Sequence, residues 1–479
     1  MIDATVVGSG PNGLSAAVTL ARAGLEVQLV ERESTVGGGM RTKELTLPGF
    51  RHDVCSAVHP AALASPFFRA FGLTDRVPFV IPDASYAHPF VAGPAGIAWR
   101  DLDRTADALG PDGRAWKRLF GPLVNRIDGV VSFTGNQLLR LPRDPIAAIE
   151  FGLRALEQGT GLWGGAFTDD VAPAMISGVA AHSIARLPSL ASAGAGLLLG
   201  AQAHAAGWGF PVGGSQAIAD ALAADLVAHG GSIHVSTTVR SPADLEPSRV
   251  TLLDTSATFL SQFGADRLPA GYRRALSRFR NGNGVAKVDF ALSAPVPWAD
   301  PAVAEAPTVH LGGTRAQIAD AENAVADGRV PEHPYVLVTQ PSILDSTRAP
   351  AGKHVLWAYI HVPSGSTLDA TELVTAELER YAPGFRDTVL ASAAMSAEDV
   401  AAYNPNYIGG DISAGAVTML QLLKRPVVST RPWQTPIDGL YLCSAATPPG
   451  PAVQGMNGWY AARLALRDHF GIREAPLKN

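Results

Sequence analysis

The chain reads as an α/β protein that pairs a parallel-sheet nucleotide-binding domain with a second domain of mixed helices and strands. Three observations in the first 42 residues predict the first domain. A short apolar strand, Ala4-Thr5-Val6-Val7, runs into Gly8-Ser9-Gly10-Pro11-Asn12-Gly13. This Gly-x-Gly-x-x-Gly opens an Ala-rich helix over Leu14 to Ala23, which Gly24 ends. A second apolar strand, Val27 to Val30, finishes on Glu31, 18 positions after Gly13. A strand, a glycine turn, a helix and an acidic strand end in this order are the parts of a Rossmann-type dinucleotide site.

Each part has a mechanical reason. Gly8 permits the tight turn from strand to helix, Gly10 lets the backbone approach a pyrophosphate, and Gly13 lets helix and strand pack closely. The helix start, with Pro11 and Asn12, offers unpaired N–H groups and positive potential to the phosphates. Glu31 is placed to accept hydrogen bonds from a ribose.

Six residues after Glu31 comes Gly37-Gly38-Gly39-Met40-Arg41. With the acidic strand end before it, this cluster resembles the N-terminal signature of FAD-dependent oxidoreductases of the amine oxidase and phytoene desaturase superfamily. The resemblance implies that the ligand is FAD, retained throughout the catalytic cycle. It places Gly38 and Gly39 under the flavin side of the pyrophosphate, with Arg41 offsetting phosphate charge and Arg32 beside the site.

Two distant segments complete that domain. Gly209-Phe210-Pro211-Val212-Gly213-Gly214-Ser215 precedes an expected helix Gln216 to His229, a Gly230-Gly231 stop and an expected strand Ser232 to Val239. In the superfamily the end of that strand passes the adenine, which makes Val239 the candidate here. The strand Leu440 to Cys443 leads to Gly450-Pro451-Ala452-Val453-Gln454-Gly455-Met456-Asn457-Gly458 and a final helix. The N-terminus of that helix is expected to face the flavin through Ala452, Val453 and Gln454, where its dipole stabilises negative charge on the reduced ring. The nucleotide-binding domain is therefore expected to be discontinuous, over 1–65, 206–284 and 426–479. Residues 66–205, mostly helical, and 285–425, with strands Val285 to Leu292, Tyr335 to Gln340 and His354 to His361 and a helix Ala370 to Tyr381, form the expected substrate domain.

Composition removes several function classes. At 479 residues with 47% hydrophobic and 17% charged, the chain buries a large core and is not disordered. A net charge of −5 without a basic stripe argues against nucleic acid. Cys55 and Cys443 are far apart, with no metal-ligand spacing, which argues for a reducing compartment and against a metal or a redox disulfide. The first strand begins within four residues of Met1, leaving no room for a signal peptide. The expected location is the cytoplasm, with peripheral membrane contact as the alternative. The uncharged stretch Leu187 to Ala203 is barely at the length needed to cross a bilayer and too poor in large aliphatics for a typical span.

Taken whole, the chain resembles the phytoene desaturase-like family, on its branch of pyridine nucleotide-disulfide oxidoreductase domain-containing proteins of the second type. The N-terminal motif, Pro48-Gly49-Phe50, Asn404-Pro405-Asn406-Tyr407-Ile408-Gly409-Gly410-Asp411-Ile412, Gln421 to Pro426 and the C-terminal motif carry the likeness. The family implies a two-domain flavoprotein that desaturates, reduces or isomerises apolar, polyene-like substrates. Two departures stand out. The β-meander expected after Arg240 is missing, since Ser241-Pro242-Ala243-Asp244 runs almost directly into Arg249 to Asp254. The glycine run near the flavin carries Pro451, which is expected at the helix start, where no donor is lost.

Flavin N5 accepts hydride directly, so a desaturase needs positioning and a dry pocket more than acid–base groups. No metal cluster, catalytic triad or carboxylate pair is evident. Lys287, in Gly284-Val285-Ala286-Lys287-Val288-Asp289-Phe290, resembles the lysine by which flavin amine oxidases hold a water at N5. Met456 stands where those enzymes place an aromatic of their amine cage, leaving a soft apolar wall. His52, His59, His204 and His361 are weighed as acids or bases and Cys55 as a flavin attachment point; structural roles are favoured for all five. The leading expectation is oxidation, reduction or isomerisation of carbon–carbon bonds in an apolar substrate, with the electron acceptor left open. An amine oxidase using Lys287, and a non-catalytic flavin-binding interaction protein, are the alternatives.

Overall fold

The computed structural model describes residues 2–474 and Leu477. Five strands, all parallel, run in the order Leu440–Leu442, Ser248–Leu253, Ile2–Val7, Val27–Val30, Ser232–His234. Such strands are covered on both faces, which is why Val27–Val30 is buried throughout. The helix Pro11–Arg22 lies against the sheet and is packed by the helices Gln216–Ala228 and Met456–Phe470. Proline at its first turn fixes φ where no donor is lost, and the helix starts there rather than at Leu14.

A second sheet of seven strands has the order Val389–Met395, Gly284–Leu292, His354–Val362, Val336–Thr339, Thr308–Leu311, Ala84–His88, Gly96–Trp99. It is antiparallel except where Thr308–Leu311 meets Ala84–His88. Helices between Leu102 and Ala205 pack together around Trp116, Phe120 and Leu197 and cover part of this sheet. Residues 66–205 are thus helical as expected, but they also supply a pair of antiparallel strands, of which Ala84–His88 docks on a strand more than 200 residues later and Gly96–Trp99 forms the sheet edge. The uncharged segment near 187–203 forms the helix Leu190–Ala205, buried through much of its length among other helices. Among the described residues no helix is long and apolar enough to cross a membrane.

Two local expectations are corrected and one, the missing meander, is met. The strand from Ser232 stops at His234, because Ser236 takes a left-handed conformation (φ 54°) and the chain bends to bond Glu31 and Glu33. Pro451 is not at a helix start: Gly450 to Gly455 is irregular, and the last helix begins at Met456 after Gly455 (φ 67°). Between Arg240 and Ser248 there is one tight turn, Pro242–Asp244, in place of a meander.

The segment Gly409 to Pro426 is held by three buried side chains. Asp411 accepts from the backbone N–H groups of Gly282, Ser413 and Gly415. Gln421 bonds both backbone groups of Arg280 and the Ala416 carbonyl, and Arg425 donates to the carbonyls of Ser413, Ala414 and Gly415. Backbone polar groups folded away from water need such partners, so this motif is a clasp that shapes the loop.

The tightest contact between distant segments is that of the first and last helices. A Cβ at Gly458 would lie 1.8 Å from the Asn12 carbonyl oxygen, while the Ser15 hydroxyl donates to the Gly455 carbonyl at 2.7 Å. Gly458→Ala is expected to lower stability by about 1–3 kcal/mol through overpacking, measured as a shift of the urea midpoint at unchanged m-value.

Candidate active site

One cavity of about 530 Å³ runs from the glycine turn after the first strand to the seven-stranded sheet. Its dinucleotide end is lined by Gly8, Gly10, Pro11, Asn12, Glu31, Arg32, Gly38, Gly39, Arg41 and Val239, so these sequence candidates share one wall. Ala452, Val453, Gln454 and Met456 line its middle. Gly13 is set behind the wall, where a Cβ would stand 2.0 Å from the Gly8 carbonyl oxygen. Gly10 and Gly38 approach each other so closely that a Cβ on Gly38 would lie 2.9 Å from the Gly10 Cα. Bare backbone at both positions lets a pyrophosphate come near the helix start.

Glu31 and Arg41 are more tightly engaged than the sequence implied. The Glu31 carboxylate accepts from the N–H groups of Ser9 (2.9 Å) and Glu33 (2.8 Å), bonds the Ser9 hydroxyl, and pairs with Arg41 at 3.2 Å. Arg41 also donates to the Thr35 carbonyl and lies over the Tyr403 ring. With Arg41 neutralised by Glu31, the positive potential for phosphates comes mainly from the helix start. Arg32 donates to the Tyr403 carbonyl at 3.0 Å and pairs with Glu33.

Asp254, absent from the sequence candidates, caps that helix. Its carboxylate accepts from the Gly13 N–H at 2.9 Å and lies on the same cavity wall. Burial pushes its pKa up to about 7; the Gly13 N–H opposes this and the negative Glu31 adds to it. Its position at the carboxyl end of a parallel strand, beside the strand that carries the glycine turn, is the signal that could have found it. The Asn406 amide donates to the Asp254 carbonyl and accepts from Ser256, which ties the family-like Asn404–Tyr407 segment to this corner.

Lys287 is buried, and it is not among the residues of the large cavity wall. Its amine is paired with Asp289 and lies 5.6 Å from the Trp357 ring centre, behind Cys55, Tyr359 and Tyr407. Burial raises the pKa of Asp289 to about 6 and lowers that of Lys287, while His52, pushed down to about 3 by burial, stands neutral beside Asp289. The remaining sequence histidines are engaged: His59 with Ser215 at 2.7 Å, His204 with Trp116 and the Trp99 carbonyl, and His361 with Glu322. His59 alone of the four candidates faces the cavity. Cys55 also lines it, with a thiol that burial pushes up in pKa.

Beyond the middle, the wall is made by Val131, Ile184, Ala195, Leu198, Leu199, Gln202, Trp208, Leu337, Trp357 and Tyr359, with His182 among them. Ala195, Leu198, Leu199 and Gln202 recur at helical spacing on one face of Leu190–Ala205. Its other faces pack into the helical layer, so nothing in the residue pattern marked this one as a wall. The charged side chains of the cavity, Glu31, Arg32, Glu33, Arg41 and Asp254, all belong to the dinucleotide end. The residues present fit FAD: an acid and glycine backbone for the nucleotide, a helix start for phosphates, and a continuation past Ala452 to Gln454 for the ring system. Gly8, Gly10, Asn12, Glu31, Gly38 and Gly39 would hold it.

Comparison with known proteins agrees with this geometry. Residues 6–71 match the family model described as an NAD(P)-binding Rossmann-like domain. The chain is 26% identical to pyridine nucleotide-disulfide oxidoreductase domain-containing protein 2 of Rattus norvegicus, over 97% of this chain and 93% of that protein. It superposes on an oxidoreductase from Methanosarcina mazei with a TM-score of 0.63 at 15% identity, covering 97% of this chain and 100% of the other. It superposes on a redesigned putrescine oxidase with a TM-score of 0.62 at 16% identity, covering 97% of each. The α/β fold and the resemblance read from the sequence are borne out.

A phosphate beside Asp254 raises its pKa further, so FAD binding takes up protons near and above pH 7 and affinity falls as pH rises there. The FAD dissociation constant is expected to rise several-fold between pH 6 and 8.5, with a ceiling of about tenfold per pH unit for one linked proton. Asp254→Asn is expected to flatten that profile, read by flavin fluorescence on release. Lys287→Met, which strands a buried carboxylate, is expected to cost about 3–5 kcal/mol. The double variant with Asp289→Leu should recover most of it in denaturant melts.

Proposed function

We propose that this chain is an FAD-dependent oxidoreductase, a reading its likeness to pyridine nucleotide-disulfide oxidoreductase domain-containing protein 2 and to the NAD(P)-binding Rossmann-like model supports, and that it oxidises or reduces carbon–carbon bonds of an apolar substrate. The observation that carries the reading is the separation of chemistry along one cavity. Every charged lining side chain lies at the dinucleotide end, and the other end is walled mainly by aliphatic and aromatic groups, with only uncharged polar side chains such as His182, Gln202, Thr308 and Thr339 among them. An alkylammonium substrate there would face no carboxylate of the described residues to pair with, and a desolvated, unpaired charge is costly. A hydrocarbon chain loses nothing by entering.

Bound FAD supplies a two-electron acceptor or donor whose N5 exchanges hydride with carbon. The chain's own residues provide position and dryness. The Leu190–Ala205 face and Leu337 confine an apolar body against the middle of the cavity, and Met456 fits its shape. Trp357 and Tyr359, with ring centres 5.0 Å apart and nearly perpendicular, close the wall that separates the cavity from Lys287. A lysine committed to Asp289 behind that wall is poorly placed for the amine oxidase reading.

The test is anaerobic mixing of the FAD-loaded protein with a panel of primary amines, including putrescine, and with a panel of isoprenoid hydrocarbons and their saturated forms. Bleaching of the oxidised flavin by a hydrocarbon, or reoxidation of the reduced flavin by an unsaturated one, is the expected result. Bleaching confined to amines would overturn the reading.

A further inference from the structure

The apolar end of the cavity contains a small polar pair with a definite hydrogen-bonding sense. His182 Nε2 lies 2.9 Å from His310 Nε2, so one nitrogen donates and the other accepts. His310 Nδ1 is fully buried and has no hydrogen-bond partner among the described residues. If His182 were the donor, His310 would carry its proton on Nδ1, an orphaned buried N–H. If His310 is the donor, only a lone pair is orphaned, and orphaned acceptors are tolerated better than orphaned donors. The pair therefore resolves as His310 Nε2–H donating to His182 Nε2, which leaves the His182 proton on Nδ1.

That nitrogen bonds no other described group and is not among the fully buried atoms, and the ring lines the cavity. His182 lies deep in the protein yet keeps accessible surface, which the cavity provides. Burial pushes its pKa down to about 3, so it meets a ligand as a neutral donor. Gln202 gives the same signal. Its Oε1 is buried without a partner among the described residues, whereas its Nε2 is neither bonded to a described group nor fully buried, and the residue lines the cavity. The two residues are joined through Trp208, whose ring lies 5.4 Å from that of His182 and whose indole N–H donates to the carbonyl of Leu199, one turn before Gln202.

Resting on the apolar-substrate reading above, we propose that His182 and Gln202 form a carbonyl-recognition subsite, and that the substrate is an apolar molecule bearing a neutral ketone or aldehyde oxygen. Two N–H donors match the two lone pairs of one carbonyl oxygen. A carboxylate would find no cation among the described residues at this end of the cavity, and an alcohol would bring a proton that the two N–H groups cannot accept. Both residues are positioning and specificity-determining groups. If the carbonyl is conjugated to the reacting carbon–carbon bond, the same two donors stabilise the negative charge that develops on its oxygen.

The experiment is titration of the FAD-loaded protein with 2-heptanone and with n-heptane, followed by tryptophan fluorescence and calorimetry, for the parent protein and for His182→Phe, Gln202→Leu and Gln202→Met. Each substitution removes a donor at similar volume, and retained flavin reports folding. The expected result is ketone binding weakened about tenfold in each variant, the loss of one satisfied buried hydrogen bond, with heptane binding unchanged or tighter. Equal shifts for the two ligands, no shift for the ketone, or no ketone binding to the parent protein would each overturn the proposal. Heptane binding that persists while the ketone is insensitive sinks this inference alone. Failure of heptane to bind the parent protein counts against the apolar-substrate reading instead.

Discussion

The start of the helix Pro11–Arg22 is the point on which the rest of the molecule depends. Three pieces of chain separated by hundreds of residues meet there. The first strand enters it through Gly8, the strand Ser248–Leu253 caps it with Asp254, and the last helix presses Gly458 onto the Asn12 carbonyl. Each contact exists because side-chain volume is absent or because a carboxylate takes up an N–H that would otherwise be orphaned. A helix start held this rigidly presents donors and positive potential at a fixed place, and the cavity begins at that place.

The consequence is a division of labour along the cavity. Charge is concentrated where a nucleotide would lie, and it is largely balanced internally, since Glu31 and Arg41 pair with each other and Asp254 titrates near neutrality. The opposite end is built by the seven-stranded sheet and the helix Leu190–Ala205, with uncharged groups facing inward. Lys287 illustrates why residue type alone misleads. A lysine on a central strand has to be solvated or paired; Asp289, two residues on and therefore on the same face, pairs with it behind the aromatic wall.

Much of the nucleotide half was legible in the sequence because it is made of local rules. Glycines at fixed offsets, an Ala-rich helix and an acid at a strand end are short-range signals, and Gly8, Gly10, the helix start and Glu31 do line one wall. Where local reading failed, a distant partner had decided the matter. The strand from Ser232 ends early because the carbonyls of Glu31 and Glu33 accept its successors' N–H groups, and Ala84–His88, paired locally with Gly96–Trp99, joins the large sheet because a strand from later in the chain receives it. The Asp411–Arg425 motif was recognisable as a family likeness, yet its role as a clasp around a buried loop is visible only in its hydrogen bonds.

By itself the sequence determined the Rossmann-type turn, the acid that follows it and the likeness that points to FAD, since these depend on backbone freedom and dipoles confined to a few neighbouring residues. The tertiary structure decided which side chains share a wall. It placed Asp254 on the helix start, Lys287 behind aromatic rings, and His182 with Gln202 at the apolar end of the cavity. The reason is physical: a side chain's hydrogen-bonding state is set by partners brought close through packing, and His310 lies 128 residues from the histidine whose tautomer it fixes.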